Sequence, residues 1–297
     1  MRLLTYKDNE QYRLGISTNH GVLDVASTAR QLDVKEVPFT IHDVIDQGNT
    51  AIAALQALVD QASNTTATNW LKEDDLQLAP CVTHPGKIIC VGLNYRKHAE
   101  ETNSPIPQYP ILFNKFNNTL SAHGDVITLP RVTEKVDYEA ELVIVIGKTA
   151  KYVNKEDALD YVFGYCNVND LSARDLQMRT PQWLLGKTCD GFSPLGPYLV
   201  TADEVGNPNN LQIQAIVNGE VRQNSNTGDM IFHCDEIVSY ISQHFTLSPG
   251  DIILTGTPEG VVMGYPPERQ VFLQDGDTVT IQIEKLGSLT NRFSAEH

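Results

Sequence analysis

A chain of 297 residues with 37 Asp and Glu against 22 Lys and Arg carries a formal charge of −15. Such a surface repels phosphate backbones and anionic lipids, so neither nucleic acid nor a membrane is an expected partner. With 41% hydrophobic residues the chain can build one large core, or a main domain with a smaller one beside it.

Taken in order, the start "MRLLTYKDNEQ" has neither a signal h-region nor an Arg- and Ser-rich transit pattern, which makes the cytoplasm the expected location. "RLLTYKD", "YRLGIST" and "GVLDVAS" read as short strands joined by polar turns. "IHDVIDQGNTAIAALQALVDQAS" then places apolar residues at helical spacing, and the polar "NTTATNWLKEDDLQLAP" follows as a linker. Residues 1–80 are therefore expected to form a small N-terminal α+β domain, and residues 84–297 the main domain. From "HPGKIICVGLNY" onward strands dominate, in "LVIVIG", "FGYCNVND", "LQIQAIVNGE", "GDIILTG" and "DTVTIQIEKLG". Helix is expected only in "RKHAEET", "KEDALDYV", "SARDLQMR" and "CDEIVSYISQHF", so the class is mixed α+β and β-rich. No apolar run nears the roughly 18 residues of a membrane helix. Cys81, Cys90, Cys166, Cys189 and Cys234 form no C-x-x-C pair, which leaves buried thiols as the expectation.

Five stretches carry candidate chemistry. In "CVGLNYRKHAEE", His98 and Glu101 stand three residues apart on one helical face, where a carboxylate can orient an imidazole as a general base; a surface His–Glu pair is the alternative. In "VDYEAELVIVIGK", strand alternation puts Glu139 and Glu141 on one face with Val143 and Val145. The apolar run that follows suggests a strand covered on both sides, so the two carboxylates must protonate, meet a cation or sit at a solvated strand end. In "GYCNVNDLSARDLQ", Ser172 and Asp175 have capping-box spacing, which frees Asp170 either to join Glu139 and Glu141 around a hard cation such as Mg²⁺ or Mn²⁺ or to serve as a turn residue. "WLLGKTCDGFSPLGPYLV" places Lys187 where it could neutralise a substrate carboxylate or a developing enolate, the alternative being a solvated lysine. In "GDIILTGTPEGV", the turn N–H groups around Gly256 and the Thr257 hydroxyl are candidates for binding a small anion. G-x-G-x-x-G, Walker, H-E-x-x-H and G-x-S-x-G sequences are absent, which removes the nucleotide, zincin and serine-hydrolase readings.

"KIICVGLNYRKHAEE", "VDYEAELVIVIGK", "NDLSARDLQ", "WLLGKTCDGFSPLGP" and "GDIILTGTPEGV", in this order and spacing, resemble the fumarylacetoacetate hydrolase family over residues 85–295. Within it, "QWLLGKTCDGFSPLGP" and the additional N-terminal region are most similar to the branch of fumarylacetoacetate hydrolase domain-containing protein 2 and its bacterial relatives. The resemblance implies a β-roll or β-sandwich catalytic domain, a homodimer, and Mg²⁺ or Mn²⁺ held by Glu139, Glu141 and Asp170. It implies a catalytic His98–Glu101 dyad on a short mobile lid helix, a substrate-contacting Lys187, and substrate-binding roles for Gln177, Thr257 and the adjacent Gly256. Arg174 and Asp175 read as a structural capping and ion-pair cluster. The segment from Asp170 to Lys187 is shorter than in acylpyruvase-type members, a departure that bears on the placement of Gln177.

The implied chemistry rests on a 2-oxo acid offering its carboxylate and carbonyl oxygens to one divalent ion, which stabilises an enolate. If His98 activates water for attack at a 4-oxo group, a 2,4-dioxo acid of acylpyruvate type is hydrolysed between carbons 3 and 4, and this C–C hydrolase activity is the first expectation. Oxaloacetate tautomerase or decarboxylase activity, and isomerase or hydratase action on a 2-oxo-enoic diacid, are the enzymatic alternatives. A non-catalytic metabolite-binding protein on the same fold is the alternative of another class.

Overall fold

The structure is a computed structural model that describes residues 1–9, 11–66 and 68–296. The expected domain end at residue 297 and one position of the expected linker, residue 67, lie outside the described residues. The chain is strand-rich and mixed α+β, and two sheets carry most of it. Among the described residues the larger sheet has 11 strands, two of which, Gln77–Leu78 and Leu120–Ser121, lie off its main path. Its path runs Gly21–Asp24, Gln11–Thr18, Arg2–Asp8, Ser193–Thr201, Val162–Asn169, Ala140–Ile146, Ile252–Leu254, Ile88–Gly92 and Ile111–Lys115. The second sheet has five strands, in the order Glu220–Asn226, Gln212–Val217, Thr278–Ile283, Gly287–Ala295 and Val126–Leu129.

The strand Ala140–Ile146 is buried along its whole length and is covered on both faces, as its unbroken apolar run predicts. Leu142, Ile144 and Ile146 pack in one core with Ile213, Ile281 and Phe293 of the second sheet. Val143 and Val145, on the opposite face, pack with Leu55 and Leu58 of the helix Asn49–Ser63. The first three strands extend the main sheet through Arg2↔Val200 and Leu3↔Leu199, so among the described residues they belong to that sheet.

Where helix was expected the outcome varies. The long apolar-periodic stretch forms two helices, Ile41–Gln47 and Asn49–Ser63, because Gly48 between them takes φ 57° and ψ −129°. "KEDALDYV" winds as a 3₁₀ helix over Lys155–Tyr161 instead of an α-helix. "SARDLQMR" yields only Arg174–Gln177, since Ser172–Ala173 is a strand paired to Val136–Asp137. "CDEIVSYISQHF" is helical over Cys234–His244. Among the described residues no helix is long and apolar enough to cross a membrane.

Candidate active site

The strand Ile88–Gly92 leads through Leu93, at φ 51°, into the short helix Arg96–Glu101. Asn94 anchors the turn from inside: its Nδ2 donates to the carbonyls of Phe232 (3.0 Å) and Thr255 (2.7 Å), and its Oδ1 accepts the Phe232 N–H (2.9 Å). On the helix, His98 Nδ1 lies 2.7 Å from Glu101 Oε1, while Glu101 Oε2 accepts the Gly260 N–H at 2.9 Å. His98 is only 5% exposed, so the surface-pair alternative falls. With Nδ1–H donated to a carboxylate, Nε2 is the ring nitrogen left for proton transfer.

Glu139, Glu141 and Asp170 are all buried, and one oxygen of each lies within 4.8 Å of the others. The solvated-strand-end alternative for the two glutamates therefore fails, as does the turn-residue alternative for Asp170. Buried carboxylates need partners. Glu139 meets Lys187 Nζ at 2.6 Å and Arg174 Nη2 at 2.7 Å. Asp170 meets Lys187 Nζ at 2.8 Å and Lys115 Nζ at 2.5 Å. Among the described residues Glu141 is in no ion pair, and Lys187 acts on it only at longer range; its Oε2 accepts the Gly256 N–H at 2.7 Å. The electrostatics follow. Burial raises the Glu139 pKa, but Lys187 and Arg174 outweigh it and hold the group down at about 2. Burial, and then the negative charges of Asp170 and Glu139, push Glu141 well above the usual carboxylate range. Burial opposes the Lys187 ammonium, yet Asp170 and Glu139 reverse that effect and keep it charged.

Around this cluster the structure corrects one reading and adds residues. The capping box does not form: Ser172 Oγ donates to the Asp170 carbonyl at 3.0 Å, and Ala173, which has no capping side chain, precedes the helix. The reason is the strand pairing of Ser172 with Asp137, which takes it away from the helix end. Asp175 instead accepts from Thr133 Oγ1 at 2.5 Å and from the Leu176 N–H at 2.9 Å, and among the described residues it is in no ion pair. Arg174 is an ion-pair residue, bound to Asp137 and Glu139, and its Nη1 donates to Gln177 Oε1 at 2.9 Å. Thr257 Oγ1 donates to the Ala140 carbonyl at 3.0 Å and accepts from Gln223 Nε2 at 2.9 Å. The Gly256 N–H and Thr257 hydroxyl hydrogens are thus committed within the protein.

His98, Glu101, Glu139, Glu141, Gln177, Lys187 and Thr257 line one cavity of about 590 Å³, with Asp170 and Gly256 behind its wall. Phe113, Trp183 and Tyr265 complete it; Phe113 and Trp183 meet edge to face at 5.4 Å, and Lys187 Nζ sits 5.2 Å from the Phe113 ring centre. Sequence reasoning missed Lys115, Asp137 and Gln223, all buried at or beside the cluster. The signal for Lys115 was a lysine closing the apolar "ILFNK", and for Asp137 a third carboxylate in the run already singled out.

The model of the fumarylacetoacetate (FAA) hydrolase C-terminal family matches residues 87–294. Oxaloacetate tautomerase fahd2, mitochondrial, of Xenopus laevis is 40% identical over 98% of this chain and 89% of its own. The solved fumarylacetoacetate hydrolase of Exiguobacterium antarcticum covers both chains fully at 33% identity and a TM-score of 0.84. Maleylpyruvate hydrolase of a Sphingobium species, solved with manganese(II) and pyruvate, covers both fully at 29% identity and a TM-score of 0.79. With its motifs in one cavity and its relatives enzymes, the chain belongs to the fumarylacetoacetate hydrolase family.

Proposed function

We propose that this protein is a divalent-metal-dependent enzyme acting on a small 2-oxo diacid, with keto–enol tautomerisation of oxaloacetate as its reaction. The observation that carries the reading is a cluster of three buried carboxylates, two of them lining the cavity that a His–Glu pair also lines. The relative from Xenopus, named an oxaloacetate tautomerase, supports the substrate.

The donor set fits a hard cation: Glu139, Glu141 and Asp170 offer only carboxylate oxygens, and Glu141 has no cationic partner of its own. These three residues would hold Mg²⁺ or Mn²⁺, and the relative solved with manganese(II) supports that choice of ion. When bound, the ion supplies Lewis acidity toward the adjacent carboxylate and carbonyl oxygens of a 2-oxo acid. Four buried acidic groups, Asp137, Glu139, Glu141 and Asp170, face three cations, Lys115, Arg174 and Lys187; with all of them ionised, a divalent ion turns the cluster net positive and favours an anionic substrate.

His98, its Nδ1–H held by Glu101, takes a proton at Nε2 from carbon 3 and gives it to the oxygen on carbon 2, and carries it back in the reverse direction. Tautomerisation moves one proton between carbon 3 and the oxygen on carbon 2 and loses no carbon. Gln177 and Thr257 shape the wall against which the substrate lies. A second reading, hydrolysis of a 2,4-dioxo acid with His98 deprotonating a water, is favoured by the likeness to maleylpyruvate hydrolase. The expected homodimer belongs to the same proposal; the outer strand Ile111–Lys115 leaves Ile111 and the following Phe116 exposed, and light scattering checks the mass.

The test follows the ultraviolet absorbance of enol oxaloacetate and of an acylpyruvate with Mg²⁺ or Mn²⁺, then with excess chelator, and assays the products. Metal-dependent equilibration of oxaloacetate without pyruvate is expected. Stoichiometric pyruvate with carbon dioxide would replace tautomerase with decarboxylase, acylpyruvate cleavage would favour the second reading, and no metal-dependent change with either would refute both.

A further inference from the structure

We propose that Asp137 is a positioning residue that joins the carboxylate cluster to the His98–Glu101 pair, so that the general base is aimed from the floor of the cluster. The proposal rests on the reading of His98 as the proton carrier. Asp137 is fully buried and lies two residues before Glu139, on the two-residue strand Val136–Asp137. It does not line the cavity, yet three donors converge on its two oxygens. Arg174 Nε donates to Oδ2 at 2.9 Å, the Val262 N–H to Oδ1 at 2.9 Å and the Met263 N–H to Oδ2 at 3.1 Å.

Each donor leads to a different part of the site. The Arg174 guanidinium continues to Glu139, 2.7 Å away. The two backbone groups belong to the 3₁₀ turn Val262–Gly264, which leans on the dyad. A Cβ on Gly264 would stand 2.4 Å from the Glu101 carboxyl group, so the turn touches Glu101 through a residue with no side chain. The Gly260 N–H at the start of the same loop donates to Glu101 Oε2. Gly260 itself is at φ +100°, and a Cβ there would stand only 2.1 Å from the Arg222 carbonyl oxygen, so no side chain fits at this position. A path is therefore continuous from Glu139 through an ion pair to Arg174, by hydrogen bonds through Asp137 to residues 262 and 263, along the loop backbone to Gly260, and by hydrogen bonds through Glu101 to His98.

The chemistry of the side chain makes a discriminating variant available. An asparagine of the same shape has one carbonyl oxygen and one NH₂, so three donors cannot all be accepted, and at least one is left facing a donor. In Asp137→Asn, amide exchange at residues 260–264 and 96–102 is expected to accelerate roughly tenfold or more, the loss of one charge-assisted hydrogen bond. This is read on the protein without substrate. With substrate, kcat is expected to fall at least tenfold while KM and metal-dependent thermal stabilisation stay within about twofold, since a base misplaced by an ångström loses rate before binding.

Gly264→Ala serves as the second variant, because the three atoms nearest to its added Cβ all belong to the Glu101 carboxyl group. It is expected to lower kcat as well, and the double variant to lose less than the two single losses combined, as members of one pathway do. Unchanged exchange at residues 96–102 in Asp137→Asn would overturn the proposal. So would a wild-type kcat in Gly264→Ala, or a fall in Asp137→Asn matched by lost metal stabilisation. Inactivity of the wild type toward oxaloacetate would count against the substrate alone, because the exchange experiment needs no turnover.

Discussion

The molecule contains two kinds of buried carboxylate, and their surroundings separate structure from function. In the N-terminal part, Asp24 is gripped by Arg13 at 2.6 and 2.7 Å, by the Tyr6 hydroxyl and by the Ser27 N–H at 2.6 Å, where it caps the helix Val25–Gln31. One acid, one guanidinium and two neutral donors leave nothing over. At the cavity, Glu139 and Asp170 share two lysines and an arginine, while Glu141 receives only a backbone N–H. The difference shows in the ionisation: burial raises the Asp24 pKa, but Arg13 and Tyr6 bring it below the usual carboxylate range, whereas Glu141 is driven up. A buried charge with every partner supplied holds a strand to a helix; a buried charge left short of a cation marks a site that expects one.

The comparison breaks most visibly if Glu141 is expendable. Glu141→Ala is expected to abolish both turnover and the rise in melting temperature produced by Mg²⁺ or Mn²⁺; retention of either would remove Glu141 from the ligand set. Next in size, His98→Ala is expected to lower kcat by about 10²–10⁴-fold and leave the metal-induced melting shift intact, and loss of that shift would give His98 a ligand's role. Arg13→Ala tests the other side: it strips Asp24 of its cation, so a loss of about 1–3 kcal/mol in urea unfolding is expected, with kcat per folded molecule unchanged. A matching loss of kcat would mean that the two clusters communicate.

The smallest effect is a pH dependence. The pKa of Asp24 is lower in the folded protein than its ordinary value of 3.8, so its contribution to stability is present above that value and is lost as pH falls toward the folded pKa. Melting temperature should therefore drop less steeply between about pH 4 and 2 in Asp24→Asn than in the parent. Equal slopes would show that Asp24 is not specially stabilised.

Much of this was legible in the order of residues. The strand Arg2–Asp8 and the double-sided burial of Ala140–Ile146 follow from period and apolar content, whereas "GVLDVAS" is strand only over Gly21–Asp24, because Asp24 caps a helix that starts at Val25. The 3₁₀ winding at Lys155–Tyr161 and the two-helix break at Gly48 were not, since both depend on local dihedrals that a periodic pattern does not specify. Lys115 and Asp137 escaped notice for a different reason. Each acquires its role from partners far along the chain, Asp170 in one case and Val262 and Met263 in the other.

The sequence by itself determined which side chains were available and brought out two pairings, Glu139 with Glu141 by extended spacing, although the strand itself starts only at Ala140, and His98 with Glu101 by helical spacing. Those are local geometries, set by backbone period. Only the tertiary structure decided that the faces meet in one cavity, that Lys187 and Lys115 reach Asp170, and that the Gly256 and Gly260 N–H groups go to Glu141 and Glu101. The physical reason is burial. A carboxylate out of water must find its counter-charge and donors wherever the packing of distant strands brings them, and no spacing along the chain records that distance.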